Sequence, residues 1–183
     1  MDPTTGARLR ALRAECGVSL SELSRRSGVG KGTISELEND RRGARLDTLF
    51  ALTAALGAPL GAVLSDESGA RRQPITGDSV SAVLLDRWTT RGGLVEVYRA
   101  TLTPDAQRSE AHADGVEETV TVVSGRVAVG SADAQHELGA GESVRYPGDR
   151  PHRFQALGEP AEVVLLMHYP HTAIQEGSPH HDH

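Results

Sequence analysis

The chain is poor in cysteine and has no long apolar run. Cys16 is the single cysteine among 183 residues, so no internal disulfide can form. No apolar stretch reaches the roughly 18 residues that a bilayer crossing requires. The opening residues, MDPTTGARLR, hold no apolar signal segment, and neither an internal repeat nor a long low-complexity tract is present. These absences argue against a disulfide-stapled scaffold and a helical membrane protein. They make a soluble cytoplasmic chain without a membrane partner the expectation.

What is present suits one large domain or two small ones. The charge favours two. Residues 1–65 carry nine Arg/Lys and seven Asp/Glu, or +2, and the remainder carries ten against eighteen, or −8, which gives the net −6. A locally basic domain on an acidic chain can still bind DNA.

Residues 8–64 follow the helical period. Leu9, Leu12 and Cys16 share a face that stops at Gly17. Ser19-Leu20-Ser21-Glu22 has the form of a capping box, with Val18 placed as a hydrophobic staple, and this helix ends at Gly28. After Gly28-Val29-Gly30 comes Lys31–Asn39, with Ile34 and Leu37 inward. A fourth helix carries Leu46, Leu49, Leu52 and Leu56, and a short fifth begins near Pro59. Residues 65–79 show no apolar pattern and are expected to be a linker. From Val80 the period changes to that of short strands: VSAVLL, LVEVYRATL, EETVTVV, RVAVG, ESVRYP and AEVVLLMHY, separated by glycine and proline turns. Many short, evenly spaced strands predict a closed barrel or sandwich. The expected order is a helical domain over 1–64, a linker over 65–79, a barrel over 80–172, and a disordered His-rich tail over 173–183.

SLSELSRRSGVGKGTISELENDRR resembles the helix-turn-helix of the lambda-repressor-like (XRE, Cro/C1-type) family, over about residues 8–64. Two short helices joined by a tight glycine turn leave the second free to enter the major groove. The resemblance makes Lys31–Asn39 the recognition helix, with Lys31, Gly32, Thr33, Ser35 and Glu36 outward. Lys31 suits guanine or phosphate, Thr33 and Ser35 either role, and Glu36 cytosine N4; bare Gly32 allows a close backbone approach. Arg41 and Arg42 suit phosphate, as do the helix-start residues Ser19 and Ser21. Arg45 stands where the family often has a serine cap.

The strand half, from about Val80 to Tyr169, resembles a cupin, whose fold is a double-stranded β-helix. Glu118 and Gly125 keep the first motif's interval, and Gly141, Pro147 and His152 fit the second. Asp149 replaces that motif's glycine and Ala156 its asparagine. The first motif's two histidine positions fall on Ala111 and Ala113, with His112 between them. On a regular strand His112 would then point away from the site; a one-residue slip through Asp114-Gly115 would bring it in. Three site readings stand side by side. His112, Glu118 and His152 hold a divalent ion; or His112, Asp114 and His152 form a two-histidine, one-carboxylate set suited to iron(II); or no metal binds and the pocket takes an organic effector. Trp88, Tyr98 and His168 are candidate pocket walls.

Together the resemblances imply a transcriptional regulator rather than an enzyme. It would bind a double-stranded, palindromic operator as a homodimer, sense a small molecule of unspecified identity in the cupin, and need no cofactor unless a divalent metal occupies the site. The alternatives are an iron-dependent oxygenase or epoxidase and a cupin that serves only as a dimerising scaffold.

Overall fold

Thr4, Ser19 and Gly28 mark the ends of the first two helices in the computed structural model, which describes residues 3–64, 74–131 and 133–171. Helix α1 (Thr5–Glu15) starts where the Thr4 hydroxyl accepts from the Ala7 amide. Helix α2 (Leu20–Ser27) starts where the Ser19 hydroxyl accepts from the Glu22 amide at 3.1 Å, and it ends on Gly28 at φ +71°. Half of the capping box forms. The Glu22 carboxylate accepts from Arg25 and Arg26, at 2.6 and 2.7 Å, instead of returning to the Ser19 amide.

Helix α3 (Lys31–Glu38) ends on Asn39, and α4 (Leu46–Ala55) begins after Arg45, whose side chain makes no cap bond. Arg45 instead pairs with Asp47 at 3.6 Å and with Asp78 of the strand domain. Leu9, Leu23, Ile34, Leu49 and Leu52 are fully buried in one helical core. Arg13 of α1 ties this core to α3: its guanidinium donates to both Glu38 oxygens, at 2.6 and 2.7 Å, and to the Val18 carbonyl.

The expected fifth helix is corrected to a single 3-10 turn, Leu60–Val63. The Ala62 and Leu64 amides donate back to the Pro59 and Gly61 carbonyls. Pro59 fixes its entry, and Gly61, a weak helix former, is held from outside by the strand domain.

Among the described residues, ten strands follow in two sheets. The larger comprises β1 (Ile75–Thr76), β2 (Val80–Thr90), β3 (Gly93–Leu102), β10 (Ala161–Pro170), β5 (Glu117–Ser124) and β8 (Ser143–Pro147), in that spatial order. The smaller runs β4 (Gln107–Ser109), β9 (His152–Ala156), β6 (Arg126–Ser131) and β7 (Ala134–Gly139). Alternation is cleanest in β10, where every second residue from Ala161 to Tyr169 is buried. These side chains, with Tyr98, Leu102, Val120 and Val129, fill the space between the sheets.

Strand β1 lies inside the stretch expected to be linker, pairing Ile75 with Ala82. Residues 65–73 and the His-rich 173–183 fall outside the described residues. In β2 the register shifts between Leu84 and Asp86, so Leu85 is an extra residue. Before the bulge, Val80, Ala82 and Leu84 are buried; after it, Trp88 is 43% exposed. Trp88 as a pocket wall is therefore corrected: the bulge turns that end of the strand outward.

Candidate functional site

Two surfaces carry the chemistry. The first is α3 with its flanks. Lys31, Gly32 and Glu36 are exposed, Thr33 and Ser35 half-buried, and Ile34, Leu37 and Glu38 buried. At Gly32 an added Cβ would meet nothing within 4 Å, so the helix is bare there. Arg41 and Arg42 are exposed just beyond α3, and Arg42 approaches Glu36 at 3.7 Å. Ser21 is exposed at the start of α2, whereas the Ser19 hydroxyl is occupied as that helix's cap.

The second is the interior of the barrel. His112, Glu118 and His152 are buried, and their donor atoms all lie within 4.8 Å of one another. Glu118 projects inward from β5 and His152 from the start of β9. His112 settles the alternative left open by the sequence. It sits not on a strand but in the segment between β4 and β5, which turns where the Val116 amide donates to the Ala113 carbonyl. Gly115 supplies the left-handed residue at φ +78°, and its amide donates to Asp149 at 3.1 Å. Strand alternation does not apply there, and His112 turns inward. The His112 amide donates to the Gly148 carbonyl at 3.0 Å. Asp114 is exposed on the turn, so the set that would have used it is corrected to one with Glu118.

The cluster is compact. Glu118 Oε1 lies 2.7 Å from His112 Nε2 and 3.2 Å from His152 Nε2, while the Tyr146 hydroxyl donates to Glu118 Oε2 at 2.6 Å. Burial pushes the Glu118 carboxyl up, but His152 and His112 beside it outweigh that and hold it well below the carboxylate range. Burial likewise lowers His152, yet Glu118 and the Arg150 carbonyl carry it above its ordinary value. The tautomer follows from the contacts. His152 Nδ1 is 2.8 Å from the Arg150 carbonyl, which can only accept, so Nδ1 carries the hydrogen. His152 Nε2, buried, then faces a carboxylate and makes no hydrogen bond of acceptable geometry. A proton or a cation at this nitrogen would satisfy both partners. At Gly148 a Cβ would come within 3.1 Å of Glu118 Cγ and 3.2 Å of His112 Cδ2, so the backbone there is packed directly against the cluster.

The cluster borders a cavity of about 200 Å³ with mostly apolar walls. Tyr98, Leu102, Phe154 and Leu165 line it from the barrel, and Asp47, Phe50 and Ala51 line it from α4. Phe50 packs its ring 5.1 Å from that of His112. Tyr98 lines the cavity. His168 does not: it points to the other face of β10, half-buried, with Nδ1 3.9 Å from Glu117. Sequence reasoning missed Tyr146 and Phe50. Tyr146 was accessible in principle, since it is the cross-strand partner of Glu118 and precedes the motif's Pro147. The signal for Phe50 is weaker: a large aromatic residue off the leucine stripe of α4.

Comparison with known proteins finds a family on each half of the chain. The Helix-turn-helix family matches residues 9–63 and the Cupin domain family matches residues 98–169. The chain is 26% identical over 167 residues to the HTH-type transcriptional regulator SutR of Escherichia coli, covering 90% of this chain and 94% of that protein. An HTH_3-family transcriptional regulator from Vibrio cholerae has a crystal structure that aligns with TM-score 0.79 and 27% identity, over 90% of this chain and 94% of that one. An immunity repressor protein of Bacillus phage phi105 is 29% identical over 65 residues, 36% of this chain and 45% of that protein.

Proposed function

The chain belongs to the XRE-type helix-turn-helix transcriptional regulators that carry a cupin domain, and from that premise we propose how it works. It binds a palindromic operator as a homodimer through α3, and its cupin cavity holds a small-molecule effector. The observation that carries this is the pairing of an exposed α3 with a partly open, mostly apolar cavity bordered by buried polar groups. One helix-turn-helix contacts a short half-site, and a two-fold dimer on two half-sites is the usual way to gain affinity. Lys31, Thr33, Ser35 and Glu36 are assigned to base edges and Arg41, Arg42 and Ser21 to phosphates. Ser19 contributes through the helix start that it caps. The test is binding to duplex DNA from upstream of its own gene, followed by anisotropy across a salt series. Equal affinity for random duplex at every salt concentration would sink the proposal.

The donor set also fits a divalent metal. His112, Glu118 and His152 offer two nitrogens and one oxygen, and a cation would answer the Nε2 of His152, which makes no hydrogen bond. A metal held there would polarise or orient the effector's head group. The protein's own residues prepare the place: the Arg150 carbonyl fixes the His152 tautomer, and Tyr146 holds Glu118. The same two-histidine, one-carboxylate set favours a second reading, an iron-dependent oxygenase with an accessory DNA-binding domain. Elemental analysis after tag-free purification separates the two, since the enzyme requires stoichiometric iron and the regulator does not.

A further inference from the structure

The helical domain does more than sit beside the barrel. Asp47, Phe50 and Ala51, on one face of α4, form part of the cavity wall, and Leu46 joins them from the helical core. Phe50 closes directly on His112, with ring centroids 5.1 Å apart and planes inclined by 42°. On its other side α4 buries Leu49 and Leu52 in the helical core, and it packs against α2, which packs against α3. A second contact joins the domains elsewhere. The Gly61 amide donates to Glu96 of β3 at 3.0 Å, and Arg87 of β2 donates to the Gly61 carbonyl at 3.0 Å. The domains are thus pinned at the 3-10 turn and meet again across a void at α4.

The void has a definite chemistry. A closed apolar cavity of ~150 Å³ accepts benzene or xenon, so about 200 Å³ admits a single ring or a short chain. Most of its walls are apolar, and the charged groups that reach it, Asp47 and Glu118, already face Arg45 and the two histidines, so an added charge of either sign would be buried without a partner. We infer that the cavity is shared between the domains and takes a small, uncharged, mainly apolar molecule with one polar group, so that α4 of the DNA-binding domain senses occupancy directly. This rests on the regulator reading for its biological sense, but the cavity can be tested without DNA. A molecule entering beside Phe50 must move that ring or pack on it, and either event alters the seat of α4, and with it α2 and α3. The coupling requires the occupied and empty cavities to favour different α4 positions.

The test uses the full chain and two probes of matched size, cyclohexanol and cyclohexanecarboxylate. In a Trp88→Phe background, Phe50→Trp places the sole tryptophan at the wall. Cyclohexanol is expected to shift its emission saturably and to raise the melting temperature, with cyclohexanecarboxylate at least tenfold weaker. Ala51→Leu, which fills the cavity from the α4 side, is expected to weaken cyclohexanol binding at least tenfold, measured by calorimetry. Phe50→Leu serves as a second wall variant, with the same calorimetric readout, if Phe50→Trp does not fold. Binding that ignores the wall substitutions, equal binding of the carboxylate, or no cyclohexanol binding would each overturn the inference. If the cavity results hold and no operator binding is found, the regulator reading fails while the shared cavity stands.

Discussion

Gly61 and Glu96 meet so closely that no side chain fits between them. The Gly61 amide donates to Glu96 Oε1 at 3.0 Å, and a Cβ at position 61 would lie 2.2 Å from that same oxygen. Glu96 is fully buried and cannot swing aside. Gly61→Ala is therefore expected to cost about 1–3 kcal/mol, the range for overpacking. Chemical denaturation should register it, together with a less cooperative transition as the domains part. A variant as stable and as cooperative as the parent would show that this contact does not join the domains.

Glu96 also sets a pH dependence. Burial raises its carboxyl pKa, and the Tyr98 hydroxyl, the Gly61 amide, Arg87 and Tyr169 oppose this without cancelling it. A folded-state value above the unfolded one means that the native state binds the proton more tightly. The stabilisation is complete below the unfolded value near ~4.3 and is lost as pH rises through the folded value. Glu96→Gln lacks this loss. Its melting temperature should gain on the parent as pH rises from acid to neutral, and parallel curves would contradict the assignment.

Arg13 and Glu38 fix α3 against α1 through a buried two-pronged pair, with side-chain exposures of 15% and 4%. Arg13→Leu alone leaves a buried carboxylate without its partner and should cost about 3–5 kcal/mol. Adding Glu38→Leu should recover most of it, because two apolar residues replace two charges. Denaturation midpoints for both variants check this. A double variant no better than the single would show that the cost lies in packing.

On the reading face, charge and base contact separate by salt response. Arg41→Ala, at an exposed flank position, is expected to weaken binding to all sequences and to lower the salt slope by about one. Ser35→Ala, on α3 itself, should instead reduce the preference for the operator over random duplex and leave the slope unchanged. Anisotropy titrations across salt resolve the two, and identical behaviour would refute the division of roles.

Metal capacity is tested by calorimetry with cobalt(II) or zinc(II). The parent should bind one equivalent, and His152→Ala should lose it, since Nε2 of His152 makes no hydrogen bond and is free to ligate. Tyr146→Phe removes the hydroxyl on Glu118 Oε2 and should lower affinity by about 10–100-fold, as loss of a supporting hydrogen bond does. Unchanged binding in His152→Ala would place the metal elsewhere.

The helical half was legible because its signals are local. The Ser19 cap, the Gly28 stop and the leucine stripe of α4 each act within a few residues. The cupin register was legible for a similar reason, since Glu118 and His152 keep fixed intervals from turn residues. His112 was not, because its direction depends on whether residues 110–116 extend or turn, and Gly115 and Asp149 decide that from different segments. Strand β7 escaped notice because most of its side chains are exposed and leave no alternation. Trp88 was misplaced because one extra residue, Leu85, reverses the facing of everything after it. Phe50 and Glu96 lay beyond reach altogether: their roles arise from how one domain seats on the other.

Gly148 sets a dimension of the site. The motif places its glycine at 149, yet the structure needs the bare backbone at 148, where even a methyl group would press on both Glu118 and His112. The close packing of those two side chains therefore leans on one missing carbon atom. A side chain at 148 would have to be met by small shifts of both groups, so this one position reports how closely histidine and carboxylate are packed.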